Sequence, residues 1–231
     1  MGRRVEVGTV ALYLGDSLSP EFDWIAEERC GFALVTDPPY GIGYSATPLD
    51  SLSPTRPIEG DGSTEARDSA LSRFRCDESP ALVFGTWKAP RPAGVREVLI
   101  WSKGDWPGMG DLSLPWGRSH EEVYVLGEGF IGKRTGTVLS QNRVHTEKGP
   151  NRHPTVKPVR LMERLIEAIP DGFTVLDPFA GSGSTLVAAL RLGRKAIGIE
   201  IDPIYFETAS RRIAASQPLW NDLEGDDVDT D

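Results

Sequence analysis

The stretch VLDPFAGSGSTLVAAL, residues 175–190, is the clearest indication of the fold, because it combines an apolar strand, a glycine-containing turn and a helix. Gly181 and Gly183 allow the backbone to turn sharply and a ligand to approach closely. The helix that follows offers unpaired N–H groups at its start. Leu186 occupies the third glycine position of the dinucleotide pattern G-x-G-x-x-G, so that pattern is not met. A turn that serves packing alone is the alternative at this point.

The next predicted strand ends in an acid. In the stretch IGIEID, residues 197–202, Glu200 follows the Gly-rich turn by about 20 residues. A carboxylate at such a strand end can accept hydrogen bonds from both hydroxyls of a ribose. The two stretches together indicate a ligand that contains a nucleoside and does not require a pyrophosphate.

The rest of the chain alternates predicted strands with predicted helices. This alternation predicts an α/β fold with a mainly parallel twisted sheet and helices on both faces. The predicted strands are 10–14, 32–35, 81–84, 95–101, 122–126, 173–176 and 196–201, and the predicted helices are about 19–29, 64–74, 159–169, 184–192 and 203–215.

A second unusual turn follows the strand at 32–35. The stretch VTDPPYGIGY, residues 35–44, sets Asp37 and Tyr40 around two prolines, which cannot continue a helix or a central strand. Asp37 and Tyr40 are therefore expected in a rigid turn at the carboxyl end of a strand, where open α/β sheets bind ligands. A plain proline turn is the alternative.

Composition limits the class of protein. The 231 residues are 39% hydrophobic, and no run of about 18 apolar residues or secretory h-region is found. Two cysteines and three histidines are scattered, so we expect reduced thiols, no bound metal and a cytoplasmic location. Residues 127–133, GEGFIGK, resemble a phosphate-binding P-loop, but Arg134 replaces the required hydroxyl and no helix follows.

The net charge of −9 is unevenly distributed. Residues 222–231 carry six acids and no base, and the tail at 217–231 is predicted to be disordered. Residues 130–165 carry eight bases and two acids. A polyanion responds to such a local patch more than to the total charge, although a solvated surface explains the patch equally well.

Three motifs stand in one order along the chain: Asp37-Pro38-Pro39-Tyr40, then HPTVKP at 153–158, then Asp177-Pro178-Phe179-Ala180-Gly181-Ser182-Gly183. This order resembles the DNA amino-methyltransferases that use S-adenosylmethionine, in the circularly permuted beta group, whose catalytic motif precedes the cofactor motif. The segments around Trp101, Lys103 and Glu121 also look like core segments of that family.

The resemblance implies a Rossmann-like methyltransferase fold and a role for each motif. Cofactor-binding residues would be Asp16 at the adenine ring, Lys157 at the methionine carboxylate, Glu200 at the ribose, and the turn residues Asp177, Phe179, Ala180, Gly181, Ser182 and Gly183. The target base would be held by Asp37, Pro38, Pro39 and Tyr40.

The implied chemistry explains the proline turn. An exocyclic amine is a poor nucleophile, because its lone pair is delocalised into the ring. If Asp37 and the carbonyl of Pro38 accept its N–H bonds, the nitrogen moves toward tetrahedral geometry and can attack the sulfonium methyl in line. Tyr40 would stack on a base that is flipped out of duplex DNA.

Target recognition is predicted in a small insertion at about 127–152 of one catalytic domain, 1–216, with help from the loop at 41–63. Gln141 and Asn142 are types that read base edges. The predicted DNA-binding residues are Lys133, Arg134, Arg143, Lys148 and Arg152. The resemblance also implies a homodimer, because members of this group are often dimers.

Asp at the first position of the tetrapeptide favours adenine N6 over cytosine N4, which stays the alternative. Methylation of RNA or of a protein amide is disfavoured, because such relatives commonly carry Asn there. A non-catalytic partner subunit that binds nucleic acid is a further alternative, against which the intact motifs argue.

Overall fold

The computed structural model describes residues 3–43, 60–104, 113–142 and 156–217. These ranges contain nine strands and five α-helices. The strands are β1 (Arg4–Val7), β2 (Val10–Leu14), β3 (Phe32–Thr36), β4 (Ala81–Gly85), β5 (Glu97–Ser102), β6 (His120–Leu126), β7 (Val138–Ser140), β8 (Thr174–Asp177) and β9 (Ala196–Glu200). The helices are α1 (Asp23–Glu27), α2 (Glu65–Phe74), α3 (Val159–Ile166), α4 (Ser184–Arg191) and α5 (Pro203–Ala214).

All nine strands form one mixed sheet in the order β1-β2-β9-β8-β3-β4-β6-β5-β7. The five strands from β2 to β4 run parallel. A tight turn at Gly8 joins β1 to β2, and these two strands pair antiparallel at one side of the block. β6 pairs antiparallel with β4 at the other side. β5 pairs antiparallel with β6, and β7 runs parallel to β5. The mainly parallel sheet predicted from the sequence is confirmed for the central block, and it is the block that positions the functional motifs.

Helices cover both faces of the sheet, as predicted. Along β3, Ala33 and Val35 join the apolar core beneath α3, α4 and α5. Phe32 and Leu34 join the core beneath α1 and α2 on the other face. Because both faces of β3 are buried, this strand reads as a continuous apolar run in the sequence.

The predicted elements differ from the structure in four places. The helix predicted at about 19–29 is broken into two 3₁₀ turns, Pro20–Phe22 and Arg29–Gly31, around the five-residue α1, with Phe22 and Ile25 buried. α3 ends at Ile166, three residues early. The short strands β1 and β7 were not predicted, because three or four residues carry too little periodicity. The tail at 218–231 and most of the loop at 41–63 lie outside the described residues.

No helix within the described ranges is both long enough and apolar enough to cross a bilayer.

The expectation of reduced thiols is wrong in this structure, where Cys30 and Cys76 form a disulfide with a Cα–Cα distance of 5.0 Å. Cys30 lies in the turn before β3, and Cys76 lies in the turn between α2 and β4. Because β3 and β4 are neighbours in the sheet, the turns that precede them meet at its amino edge. Cysteines 46 positions apart give no sign of this in the sequence.

We expect reduction to destabilise the protein, because the disulfide closes a long loop and restricts the unfolded chain. The Cys30→Ser/Cys76→Ser double variant should lose about 2–4 kcal/mol of unfolding free energy in urea. Reductant should lower the stability of the wild type to the same level and leave the double variant unchanged. Equal wild-type stability with and without reductant would contradict this expectation.

Candidate active site

The carboxyl ends of the parallel strands bring the separate sequence motifs to one edge of the sheet, here called the catalytic edge. β2 ends just before Asp16, β3 just before Asp37, β8 at Asp177 and β9 at Glu200. β2, β9, β8 and β3 are consecutive neighbours in the sheet. The structure therefore gathers four acids that the chain spaces far apart, at the edge where open α/β sheets bind ligands.

The Gly-rich turn joins β8 to α4 in the way the sequence predicts. Gly181 and Gly183 both have positive φ, 52° and 77°, which side chains other than glycine rarely adopt. Gly183 caps α4, and a Cβ there would lie 2.9 Å from the Cβ of Ala209 in α5. Both the turn and its packing on α5 therefore require glycine at this position.

Asp177 is buried, and protein donors satisfy both of its oxygens. Its Oδ1 accepts a hydrogen bond from Thr36 Oγ1 at 2.7 Å and from the backbone N–H of Phe179 at 3.2 Å. Its Oδ2 accepts one from Thr185 Oγ1 at 2.6 Å. Burial raises the pKa of Asp177 to about 6, although the hydrogen bonds from the two threonines oppose the shift. Asp177 ties β3, β8 and α4 together beneath the turn.

Glu200 is buried on the other side of the same turn. Its Oε2 accepts the backbone N–H of Gly181 at 2.7 Å, and its Oε1 accepts that of Asp202 at 2.8 Å. Burial raises the pKa of Glu200 to about 7, against the effect of these two hydrogen bonds. The carboxylate therefore lies at the end of β9 and holds the Gly-rich turn in place.

Most of the remaining predicted cofactor residues surround this turn, whereas Lys157, predicted at the methionine carboxylate, lies against the proline turn. Ala180 is buried, and its backbone N–H donates to the carbonyl of Ile199 at 2.9 Å, while Phe179 is half-buried. Ser182 Oγ accepts from Arg212 of α5 at 2.7 Å, a brace that the sequence did not indicate. Asp16 is exposed and accepts the backbone N–H of Leu18 at 2.9 Å.

The proline turn begins at the end of β3, as predicted. Asp37, Pro39 and Tyr40 are half-buried, whereas Pro38 is buried. Tyr40 Oη donates to Asp37 Oδ1 at 2.8 Å. Beyond it, the backbone N–H of Gly41 donates to the buried Asp61 Oδ1 at 2.8 Å, which fixes the far end of the turn.

A buried network of charged groups lies against Asp37 and Tyr40. Lys157 Nζ donates to Asp37 Oδ2 in a short ion pair and lies 3.3 Å from Glu121 Oε2. Tyr40 Oη also lies 3.1 Å from Glu121 Oε2, and Lys103 Nζ pairs with Glu121 Oε1. Two carboxylates and two ammonium groups thus balance one another where little water reaches them.

Burial and the neighbouring charges of the network shift the pKa values of four of its members, Asp37, Tyr40, Lys157 and Glu121. Burial raises the pKa of Asp37, an effect that Lys157 opposes and Glu121 reinforces. Burial also raises the pKa of Tyr40, and the two carboxylates add to that rise. Burial would lower the pKa of Lys157, but Asp37 and Glu121 raise it. Burial would raise the pKa of Glu121, but Lys157 and Lys103 lower it to about 2.

Several site residues were not predicted or were given no role. Glu121 and Lys103 lie in segments that resemble the family but have no predicted role, and the sequence predicts no role for Thr36, Thr185 or Asp61. Glu121 bonds to Tyr40 across 81 residues and Thr36 bonds to Asp177 across 141, and no local pattern reveals such contacts. Among the described residues, no group of three or more His, Cys, Asp or Glu side chains could hold a metal ion.

The predicted DNA-contacting residues are spread over the sheet. Gln141 lies at the catalytic edge, where its backbone N–H donates to the carbonyl of Ser102 at 3.0 Å, and Asn142 follows it. Lys133 and Arg134 are exposed, but they precede β7 and lie toward the opposite edge. Arg143, Lys148 and Arg152 lie outside the described residues.

Two exposed tryptophans adjoin the catalytic edge. Trp87, 65% exposed, follows β4 at its carboxyl end, beside Lys88. Trp116, 78% exposed, precedes β6 at the same edge.

A twisted α/β sheet whose carboxyl edge carries a Gly-rich turn and an acid on the next strand defines the Rossmann-like class of proteins that bind nucleoside cofactors. The structure is similar to one titled M1.HpyAVI-SAM complex, with a TM-score of 0.62 and 21% identity, covering 88% of this chain and 99% of that one. This likeness shows the fold.

A family model described as DNA methylase, of the N6/N4 methyltransferases, matches residues 100–211. "Putative methylase YubD" of Escherichia coli (strain K12) is 34% identical over 199 residues, 80% of this chain and 82% of that protein. Type II methyltransferase M2.DpnII of Streptococcus pneumoniae is 49% identical over 140 residues, 56% of this chain and 50% of that protein. The chain belongs to the N6/N4 family of DNA methyltransferases, which use S-adenosylmethionine.

The raised pKa of Glu200 predicts a pH-dependent stability. Below about pH 4.5 the carboxyl is protonated in the folded and unfolded states alike, and its contribution is fully present. As the pH rises through about 7, the unfolded state loses its proton first, and about 3 kcal/mol of stability is lost. Urea unfolding between about pH 4 and pH 8 should therefore show Glu200→Gln gaining that amount relative to the wild type.

The exposed Glu78→Gln variant is the control, because it removes a surface carboxylate at a distance from the turn. It should follow the wild type at every pH. A constant difference between Glu200→Gln and the wild type would contradict the assignment of this pH dependence to Glu200.

Proposed function

We propose that the protein methylates the N6 amine of adenine in duplex DNA, after the base is flipped out of the helix. The observation that carries this proposal is the hydrogen bond from Thr36 Oγ1 to Asp177 Oδ1. Thr36 precedes the proline turn, and Asp177 opens the Gly-rich turn. The bond therefore holds a site suited to an amine directly beside a site suited to a nucleoside cofactor.

The residues around the Gly-rich turn fit S-adenosylmethionine. The missing side chains at Gly181 and Gly183 let a ligand reach the backbone, and the Glu200 carboxylate suits the ribose hydroxyls. When bound, the cofactor supplies an activated methyl, so that the amine nitrogen forms the new C–N bond as the S–C bond breaks and the nitrogen loses one proton. Binding by Asp16, Phe179, Ala180 and Ser182 is part of the same proposal.

Asp37 and the carbonyl of Pro38 would accept the two N–H bonds of the target amine. This pairing pulls the nitrogen out of conjugation with the ring and points its lone pair toward the methyl. The prolines fix the carbonyl without needing hydrogen-bond partners of their own. Burial raises the pKa of Asp37, which suits it to receive the proton that the nitrogen loses. The ring of Tyr40 would stack on the flipped base.

Adenine is proposed over cytosine because the tetrapeptide begins with Asp. An N4 amine of cytosine would make the same hydrogen bonds, and the family includes both reactions, so cytosine N4 is the second candidate. The motif order, catalytic before cofactor, supports the circularly permuted group. A single catalytic domain at 1–216, a cytoplasmic location and a homodimer complete the proposal.

Duplex DNA would lie along the catalytic edge, because the flipped base must enter there. Trp87 and Trp116 offer exposed aromatic surface at this edge, and Lys88 offers a positive charge for phosphate. Gln141 and Asn142 lie at the same edge and suit base contacts. Lys133 and Arg134, which the sequence predicts to contact DNA, lie farther away, so we propose that the duplex does not reach them.

Methyl transfer from labelled S-adenosylmethionine to unmethylated duplex DNA tests the function, with product nucleosides identified by mass. The wild type should yield N6-methyladenine. Asp37→Ala should lower the rate by about 100-fold or more, because one acceptor for the amine and for its proton is lost. Asp77→Ala, which removes an exposed carboxylate outside the site, should retain wild-type activity.

The product decides between the candidates. N4-methylcytosine would keep the mechanism and overturn the choice of base. An Asp37→Ala variant as active as the wild type would overturn the role of the proline turn. Cofactor binding without transfer to DNA would reject the proposed substrate.

The salt dependence of DNA binding tests where the duplex lies. Each lost phosphate contact should reduce the slope of log affinity against log salt by about 0.9. Lys88→Ala should show this loss, because Lys88 lies at the catalytic edge. Lys133→Ala/Arg134→Ala should keep the wild-type slope. The reverse result would place the duplex over the segment before β7.

A further inference from the structure

Two half-buried carboxylates of the site, Asp37 and Glu121, share the same two donors. Lys157 Nζ pairs with Asp37 and lies 3.3 Å from Glu121 Oε2. Tyr40 Oη donates to Asp37 Oδ1 at 2.8 Å and lies 3.1 Å from Glu121 Oε2. Each donor therefore has a second acceptor within reach without any movement of the backbone.

The sheet and Lys103 hold Glu121 in place, whereas Asp37 would contact the proposed substrate. Glu121 lies within β6, paired across the sheet with Trp101 of β5. Lys103, just beyond β5, binds the other oxygen of Glu121, and the Trp101 ring lies 4.9 Å from the Lys103 ammonium. These contacts fix the Glu121 carboxylate on a strand, whereas Asp37 sits in a turn.

We propose that Glu121 is a positioning residue that takes over Lys157 and the Tyr40 hydroxyl when Asp37 binds the target amine. The proposal rests on the proposed function of Asp37. Lys157 and Tyr40 occupy both oxygens of Asp37. Glu121 allows them to turn away, so that the Asp37 oxygens become available to the N–H groups of the base.

The physical reason is the cost of leaving a buried charge without a partner. Lys157 is 5% exposed, and breaking a buried ion pair by removing one partner is strongly destabilising. Without Glu121, release of Asp37 would leave the Lys157 ammonium buried without a negatively charged partner. With Glu121, the ammonium exchanges one carboxylate for another at nearly constant solvation.

The charge balance of the network also supports this role of Glu121. The two carboxylates and two ammonium groups of the network are neutral as a set. If Asp37 receives the proton that the amine nitrogen loses, Lys157 needs another negative partner at that moment. Glu121 provides it, because its pKa of about 2 keeps it ionised while Asp37 is protonated.

The test compares Glu121→Gln with Glu122→Gln, its neighbour in β6. Glu122 is more deeply buried than Glu121 and bonds to Arg91 and Tyr124 instead, so its loss reports on folding rather than on the network. Single-turnover methylation at saturating substrates should fall by about 10-fold to 100-fold for Glu121→Gln and little for Glu122→Gln. Cofactor affinity should be unchanged in both.

The pH profile separates positioning from structural damage. Glu121 raises the pKa of Asp37 and Lys157 lowers it. The acid limb of the rate should therefore move to lower pH in Glu121→Gln and to higher pH in Lys157→Met. Misfolding would not move the limb in opposite directions for the two variants. Profiles identical to that of Glu122→Gln would overturn the proposal.

A measurement on the protein without DNA tests the role of Glu121 separately from the proposed methylation of DNA. Carbon NMR of the aspartate carboxyls, with the Asp37 signal assigned from Asp37→Asn, follows its titration in the apo protein. Its midpoint should fall in Glu121→Gln and stay unchanged in Glu122→Gln. An unchanged midpoint rejects the coupling of the two carboxylates. A wild type that shows this coupling but methylates no DNA rejects the proposed function alone.

Discussion

The hydrogen bonds that Asp177 accepts from Thr36 and Thr185 are the constraint on which the site depends. They join three elements at one buried carboxylate: the end of β3, the end of β8 and the first turn of α4. Two turns that arise 141 residues apart are thereby held in one fixed relation. Methyl transfer in line needs that relation, because a small misplacement of donor and acceptor is costly in rate.

A carboxylate suits this junction better than an apolar contact would. It accepts three hydrogen bonds in different directions, and each is lost if a strand shifts in register. The cost is desolvation, visible in the raised pKa of Asp177 and, one strand away, of Glu200. On the Asp37 side of the catalytic edge, the ammonium groups of Lys157 and Lys103 offset the negative charge of Asp37 and Glu121.

The sequence predicts what the local chain controls. Prolines after β3 and glycines after β8 end those strands and shape the turns, so Asp37, Tyr40, Gly181 and Glu200 could be placed at strand ends beforehand. Contacts between distant segments leave no such signal. Glu121 reaches Tyr40 across 81 residues, and Lys157 reaches Asp37 across 120. The sequence did not predict the disulfide for the same reason, because the pairing of the distant strands β3 and β4 brings Cys30 to Cys76.

The chemistry and the choice of target are therefore carried by different parts of the chain. In the proposed function, the buried groups would bind an amine and a nucleoside cofactor, and they would not distinguish one exocyclic amine from another. Gln141, Asn142 and the exposed Trp87 and Trp116 lie around the catalytic edge, outside this buried network. Under the proposed function, residues of this rim would read the base and its neighbours. The rigid centre can then serve adenine or cytosine, and changes around its rim can alter the target without disturbing the network beneath.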